Sequence, residues 1–109
     1  MNVRSYVWQR GTAALLFPMV IVHLMVIFYA THKGLSASDI LQRSHGSIAW
    51  MAFYGAFVFA AAIHASIGIR NIVVEWSPLN GHAANTLASA FGILLVVLGL
   101  RAVFAVVLI

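Results

Sequence analysis

The sequence contains no cysteine, which excludes disulfides, thiol chemistry, iron–sulfur ligation and cysteine-type zinc sites from this chain. Charge is nearly as scarce. Only 7% of its 109 residues are charged, with two acids against six Lys and Arg, where soluble domains carry roughly a quarter. That composition excludes a soluble enzyme. The net charge of +4 does not indicate a nucleic-acid partner either. The basic residues are scattered and punctuate apolar runs instead of forming a patch on a polar surface. They read as membrane-boundary residues, where positive loops and snorkelling side chains are expected. The opening "MNVRSYVWQR" has no cleavage-site pattern, and the apolar run after it is long enough to span, so it is read as mature structure.

What the chain has in abundance is apolar sequence, 63% of the total. Three runs stand out, at about 11–31, 47–74 and 83–109. Each meets the ~20 residues needed to cross a ~30 Å hydrocarbon core. The expectation is an all-α integral membrane protein, a single domain over residues 1–109 with three transmembrane helices. Such a domain buries little by itself and needs partners. The connector "HKGLSASDILQRSHG" suggests the start of a short interfacial helix at Ser38 and Asp39, and "EWSPLNGH" carries Pro78 and Gly81 as stop and turn. Pro18 is expected to bend the first helix. Small residues four apart, such as Ala88 and Gly92, mark a helix-packing face.

Orientation follows from the basic residues. With three crossings, the N-terminus and the second connector share one side, which holds Arg4, Arg10 and Arg70, while Lys33 and Arg43 lie on the other. Three against two favours a cytoplasmic N-terminus, with Arg101 counting mildly against it.

The second run carries a histidine inside its apolar stretch. His64, Gly68, Asn71 and Glu75 recur at spacings of four, three and four, so they share one helical stripe. Ala60 stands one turn before His64 and Gly68 one turn after, leaving bare backbone on both sides of the imidazole. A flat group bound edge-on would need that arrangement. Haem is such a group, and imidazole is a common ligand for its iron. Asn71 lies seven residues on, about 10 Å along the helix, so Arg70 and Asn71 stand near where anionic haem propionates would reach the membrane boundary. The plainer alternative is a histidine that hydrogen-bonds between helices as packing glue.

A second group gathers at one end. Arg10 opens the first helix, Tyr6 stands one turn earlier, and Arg70, Glu75 and Trp76 close the second helix. Antiparallel neighbours bring these ends to one membrane face. Donors, an acid and an indole at the lipid boundary suit a quinone headgroup, which needs hydrogen bonds to its carbonyl oxygens and a route for two protons. The plainer alternative is that Arg and Trp anchor helix ends while Tyr joins the aromatic belt. His32, His45 and His82 lie in or beside connectors. His23 lies inside the first helix, about 20 Å from the shared face against about 15 Å for His64, and would be a second iron ligand only with a tilt or bend.

Two stretches carry a resemblance. "QRGTAALL", residues 9–16, resembles the Arg-x-Thr/Ser-Gly/Ala signature that opens the first helix of membrane-anchor subunits of succinate:quinone oxidoreductases, the succinate dehydrogenase/fumarate reductase family. "HASIGIRNIVVEW", starting at His64, resembles their second-helix signature of a haem-ligand histidine, Gly-Ile-Arg, then an acid eleven residues after the histidine. "GIR" is similar to the larger cytochrome b anchor. The "QR-x-TA" and "HA-x-IG" patterns are similar to the smaller anchor, which has Asp-Tyr where this chain has Glu75-Trp76. In the cytochrome b anchor a second histidine often stands seven residues after the ligand, where this chain has Asn71. A quinone-binding serine commonly stands four residues before the arginine; here that position is Tyr6, with Ser5 one step away.

The resemblance implies a subunit that is not catalytic alone. A flavoprotein subunit oxidises succinate, an iron–sulfur subunit carries the electrons to the membrane, and ubiquinone or menaquinone is reduced beside two small anchor chains. A b-type haem lies between the anchors, with His64 as one axial ligand to its iron. Arg70 and Asn71 would stand on the propionate side, Gly68 and Ala60 against the haem, and Arg10, Tyr6, Ser5, Glu75 and Trp76 around the quinone. No FAD or iron–sulfur cluster would be held by this chain. The expected location is the bacterial cytoplasmic membrane. A quinol:fumarate reductase anchor, with or without haem, and a small non-redox membrane scaffold or transport component are the alternatives.

Overall fold

A computed structural model describes residues 3–108, which form four helices: α1 (Val3–Lys33), α2 (Ala37–Ser44), α3 (Ile48–Trp76) and α4 (Gly81–Val107). Helices α1, α3 and α4 are each long and apolar enough to cross a membrane. The assembly measures 48 × 23 × 23 Å, so its ends extend beyond the ~30 Å hydrocarbon core into the headgroup layers.

The apolar runs locate the spans, but the helices overrun them. α1 begins at Val3, well before the apolar run at 11, and continues unbroken through the exposed Pro18. Backbone hydrogen bonding continues once a helix has started, whereas hydropathy registers only the part that lies in hydrocarbon. α4 ends at Val107, and Ile109, the expected end of the third run, lies outside the described residues. The short helix in the first connector does form, starting at Ala37, one residue earlier than Ser38. Ser36 is its N-cap: the Ser36 hydroxyl oxygen accepts from the Asp39 backbone N–H at 3.1 Å and the hydroxyl donates to the Asp39 carboxylate at 2.6 Å. Ser47 and Asn80 cap α3 and α4 in the same way.

Helix α3 is central, packing against α1 on one side and α4 on the other. The α3–α4 seam is built of small residues. Ala62, Ala84 and Ala88 are buried, Ser66 donates to the Ala88 carbonyl at 2.9 Å, and Gly92 and Gly99 lie directly against Ser66 and Val58. Without a hydrophobic force between helices in lipid, close backbone approach and cross-helix hydrogen bonds are what hold them. The Ala88 and Gly92 face expected from the sequence is part of this seam.

The far end is tied by the first connector. The Ser44 hydroxyl reaches the Val106 carbonyl at 2.5 Å and the Gly46 N–H donates to the Val107 carbonyl at 2.6 Å. These bonds satisfy carbonyls of the last turn of α4 that have no partner within the helix. Gly46 has φ +73 with open space at its would-be Cβ, so backbone conformation alone selects glycine there.

Candidate functional site

Inter-helix contacts set the α1–α3 register, and with it the level of every polar group. Thr12 Oγ1 lies 3.2 Å from His64 Nδ1. The Gln9 side-chain nitrogen lies 3.6 Å from where a Cβ on Gly68 would stand. Deeper in, His23 packs edge-on against Tyr54 and Phe57, with ring centroids 5.8 and 5.3 Å apart. These pairings run antiparallel, so the N-terminus of α1 and the α3–α4 loop do share one face.

Thr12 is 6% exposed, the one buried residue of α1. Its hydroxyl lies 2.7 Å from the Trp8 carbonyl and 3.2 Å from the Gln9 carbonyl. A hydroxyl has one proton and two lone pairs. The short bond to Trp8 takes the proton, which leaves Oγ1 to accept from His64 Nδ1–H. The tautomer assigned by this network keeps a lone pair on Nε2, and Nδ1 makes the only hydrogen bond of His64 among the described residues. Ala60 is 5% exposed and closed in by the protein's own packing. The Gln9 carboxamide lies over Gly68, with its Oε1 buried and without a hydrogen-bond partner among the described residues. Among the described residues no three His, Cys, Asp or Glu side chains come together to hold a metal ion.

The family model for the succinate dehydrogenase/fumarate reductase transmembrane subunit matches residues 2–108. The chain belongs to that family. No curated protein and no solved structure matched it. Membership makes it a membrane subunit of a succinate dehydrogenase/fumarate reductase complex, which includes other subunits, and its three long apolar helices make it multi-pass.

The remaining polar residues of this transmembrane subunit divide between two directions. Arg70 turns toward α4, where its Nε donates to the Asn85 side-chain oxygen. Asn71, on the His64 stripe, is half-buried, while Glu75 is exposed. Arg10 is exposed on α1, with its guanidinium 5.7 Å from the centroid of the Tyr6 ring, a cation–π pair. Ser5 is half-buried and already has a partner. Trp76 is 82% exposed at the end of α3, as befits a side chain that meets lipid or another subunit. Arg10 and Tyr6 thus present outward from α1, but the Gln9–Gly68 register sets Arg10 about 12 Å along the axis from the level of Glu75 and Trp76.

The structure separates His23 from His64. His23 lies eleven residues beyond Thr12 on α1, about 16 Å along the axis, where the sequence expectation was a difference of about 5 Å. The expectation began α1 at the apolar run, but the helix extends below it, which slides every α1 residue relative to α3. Two imidazoles on one iron must stand within a few ångströms of each other, so this arrangement does not let His23 share an iron with His64. His23 instead faces an apolar cleft of about 920 Å³ lined by α1, α2, α3 and α4, including Val26, Tyr54, Phe57, Leu95 and Val103. His23 Nδ1 is buried there without a hydrogen-bond partner among the described residues. Tyr6, Arg10, His64, Glu75 and Trp76 do not line this cleft.

Sequence reasoning passed over Thr12, Gln9 and Asn85. Thr12 stood inside the quoted "QRGTAALL" stretch, and a lone hydroxyl two residues from Arg10 was the available signal. Gln9 opened the same stretch, as part of its "QR-x-TA" pattern, and Asn85 carried no signal; only the helix register turns them toward Gly68 and Arg70.

Proposed function

We propose that this chain is a membrane anchor of a succinate:quinone oxidoreductase and that His64 is one of two axial ligands of a b-type haem shared with a second small anchor. The observation that carries this reading is the state of His64. It is placed on a spanning helix, its Nδ1 is engaged by Thr12, and its Nε2 is left as a lone-pair donor. Metal-bound histidines are held in this way, with the other ring nitrogen donating to a neighbouring acceptor. The donor set fits haem. With no cluster of ligating side chains among the described residues, one imidazole binds iron only where the other ligands arrive with the group and from a second chain.

When bound, the haem supplies a one-electron store near the quinone. The residues of this chain hold and orient. Thr12 fixes the His64 ring, Gly68 and Ala60 limit bulk beside it, and Asn71 on the same stripe stands toward the propionate end, with Arg70 at the same level but held to Asn85. The second axial ligand comes from the partner anchor, since His23 is too far along α1.

Toward the same membrane face, Arg10 and Tyr6 supply hydrogen-bond donors for the carbonyl oxygens of ubiquinone or menaquinone, Ser5 stands beside them, and Glu75 and Trp76 lie about 12 Å further out, between that site and the aqueous side. Two electrons arrive from succinate by way of the flavoprotein and iron–sulfur subunits. Two protons enter from the aqueous side, where Glu75 lies at the boundary. The half-pocket on this chain is completed by the other subunits. The excess of arginine at this end supports a cytoplasmic N-terminus, with the complex read as one of the bacterial cytoplasmic membrane.

The test is the native complex, purified in mild detergent through this chain. A dithionite-reduced minus oxidised spectrum is expected to show a b-type α-band that His64→Ala removes or shifts. A band unchanged by His64→Ala removes His64 as a ligand. A preparation with neither pigment nor flavoprotein returns the chain to a non-redox scaffold.

A further inference from the structure

Thr12 carries an inference that rests on the haem reading and goes beyond it. A buried threonine in a membrane helix is ordinarily accounted for by a back-bond to the carbonyl four residues earlier, and Thr12 makes that bond to Trp8 at 2.7 Å. The back-bond already satisfies the hydroxyl proton. It does not explain why Oγ1 is also aimed across the helix interface at His64 Nδ1, 3.2 Å away and 52 residues distant in sequence. Valine would fill the same volume with the same branching and leave no polar atom to bury.

We propose that Thr12 is a positioning residue for His64: its Oγ1 accepts the Nδ1–H bond, fixes the tautomer with Nε2 free for iron, and sets how strongly that nitrogen donates. The chain of bonds runs from Nδ1–H to Oγ1 and from the Thr12 hydroxyl to the Trp8 carbonyl. Donating into the peptide bond makes Oγ1 a better acceptor. A stronger acceptor at Nδ1 raises the basicity of Nε2, which favours ferric over ferrous iron. Thr12 therefore tunes the haem from a helix that contributes no ligand to it. Thr12 also ties α1 to the ring, so Arg10, two residues away, is held at a fixed level relative to the iron.

The experiment uses the assembled complex with Thr12→Val and Thr12→Ser. The readouts are the haem midpoint potential, from an anaerobic redox titration, and the low-spin ferric signal by electron paramagnetic resonance. Neither depends on turnover. Thr12→Val is expected to shift the ferric-to-ferrous balance toward ferrous by about tenfold, about 59 mV upward for a one-electron couple, with a broadened resonance as the ring loses its anchor. Thr12→Ser keeps the acceptor and is expected to restore both. Thr12→Ala removes the hydroxyl without adding bulk and stands in if the valine variant fails to assemble.

An unchanged potential and resonance without the hydroxyl, in a complex whose signal is lost in His64→Ala, overturns the role of Thr12 and leaves the haem reading standing. A serine variant that behaves like valine also overturns it, since shape and not the acceptor would then be what matters. A native complex without haem overturns both.

Discussion

The tightest contact in the helix packing lies at Gly99, and its consequence is best seen by adding one methyl group. A Cβ built there stands 2.6 and 2.7 Å from the two γ-methyls of Val58 and 3.2 Å from its Cβ. Carbon atoms rest at about 3.5–4.0 Å, so α3 and α4 would have to part by roughly 1 Å or Val58 would have to leave its rotamer. Neither is easy: valine is stiff at χ1, and turning it leaves its Cβ still crowded. Overpacking of this kind destabilises by about 1–3 kcal/mol. Against that, alanine gains about 1 kcal/mol over glycine in a helix. Gly99→Ala is therefore expected to lower stability by about 0–2 kcal/mol in the native background.

The sign should reverse when Val58→Ala removes both γ-methyls. In that background Gly99→Ala becomes neutral or stabilising, and the coupling between the two sites is about 1–3 kcal/mol. Val58 borders the apolar cleft, so truncating it widens a space that already exists instead of opening a new void. SDS titration of the detergent-solubilised complex, followed by tryptophan fluorescence, gives the four free energies of the cycle. Equal destabilisation by Gly99→Ala in both backgrounds would refute the argument that Val58 fills the space glycine leaves.

Two further outcomes follow from other parts of the structure. Arg10 is exposed and makes no packing contribution beyond its stack on Tyr6, so Arg10→Ala is expected to lower quinone reduction by at least tenfold while leaving succinate oxidation by an artificial dye intact; equal loss of both activities would indicate failed assembly instead. At Gly46, φ of +73 with nothing near its would-be Cβ means that Gly46→Ala meets only the left-handed backbone penalty, about 1–2 kcal/mol. A fall in SDS midpoint of that order is expected, and no change would mean that the turn relaxes freely.

Much of the architecture was legible because lipid imposes so few solutions. Runs of apolar residues long enough to cross a bilayer must be helices when they are not closed barrels, and three such runs are plain in this sequence. Where the helices begin was less legible, since Val3 to Arg10 is helical but not apolar. The stripe of His64, Gly68, Asn71 and Glu75 could be read because its residues belong to one helix with a known period. Arg70 was assigned to the same region, yet its position one step off the stripe turns it to α4 and Asn85. Thr12 was not legible as a partner of His64, nor was the separation of His23. Both depend on how far α1 slides along α3, and that displacement is set by packing between residues 52 apart in sequence, with no local pattern to record it.

The bonds from Ser44 and Gly46 to the end of α4 also order events in time. Ser44 is 62 residues ahead of its acceptor at Val106, so at ~5–20 residues per second the connector waits roughly 3–12 s for the carbonyls it will bind. During that interval α1 and α3 can already pair, while the Ser44 hydroxyl has the Ile40 carbonyl of its own helix, at 2.9 Å, and the Gly46 N–H has water. The final turn of α4 then arrives as a latch on a hairpin made earlier. Its closing marks the moment at which the third helix has reached full depth, because a helix inserted one turn short would leave Val106 and Val107 about 5 Å from the groups that receive them.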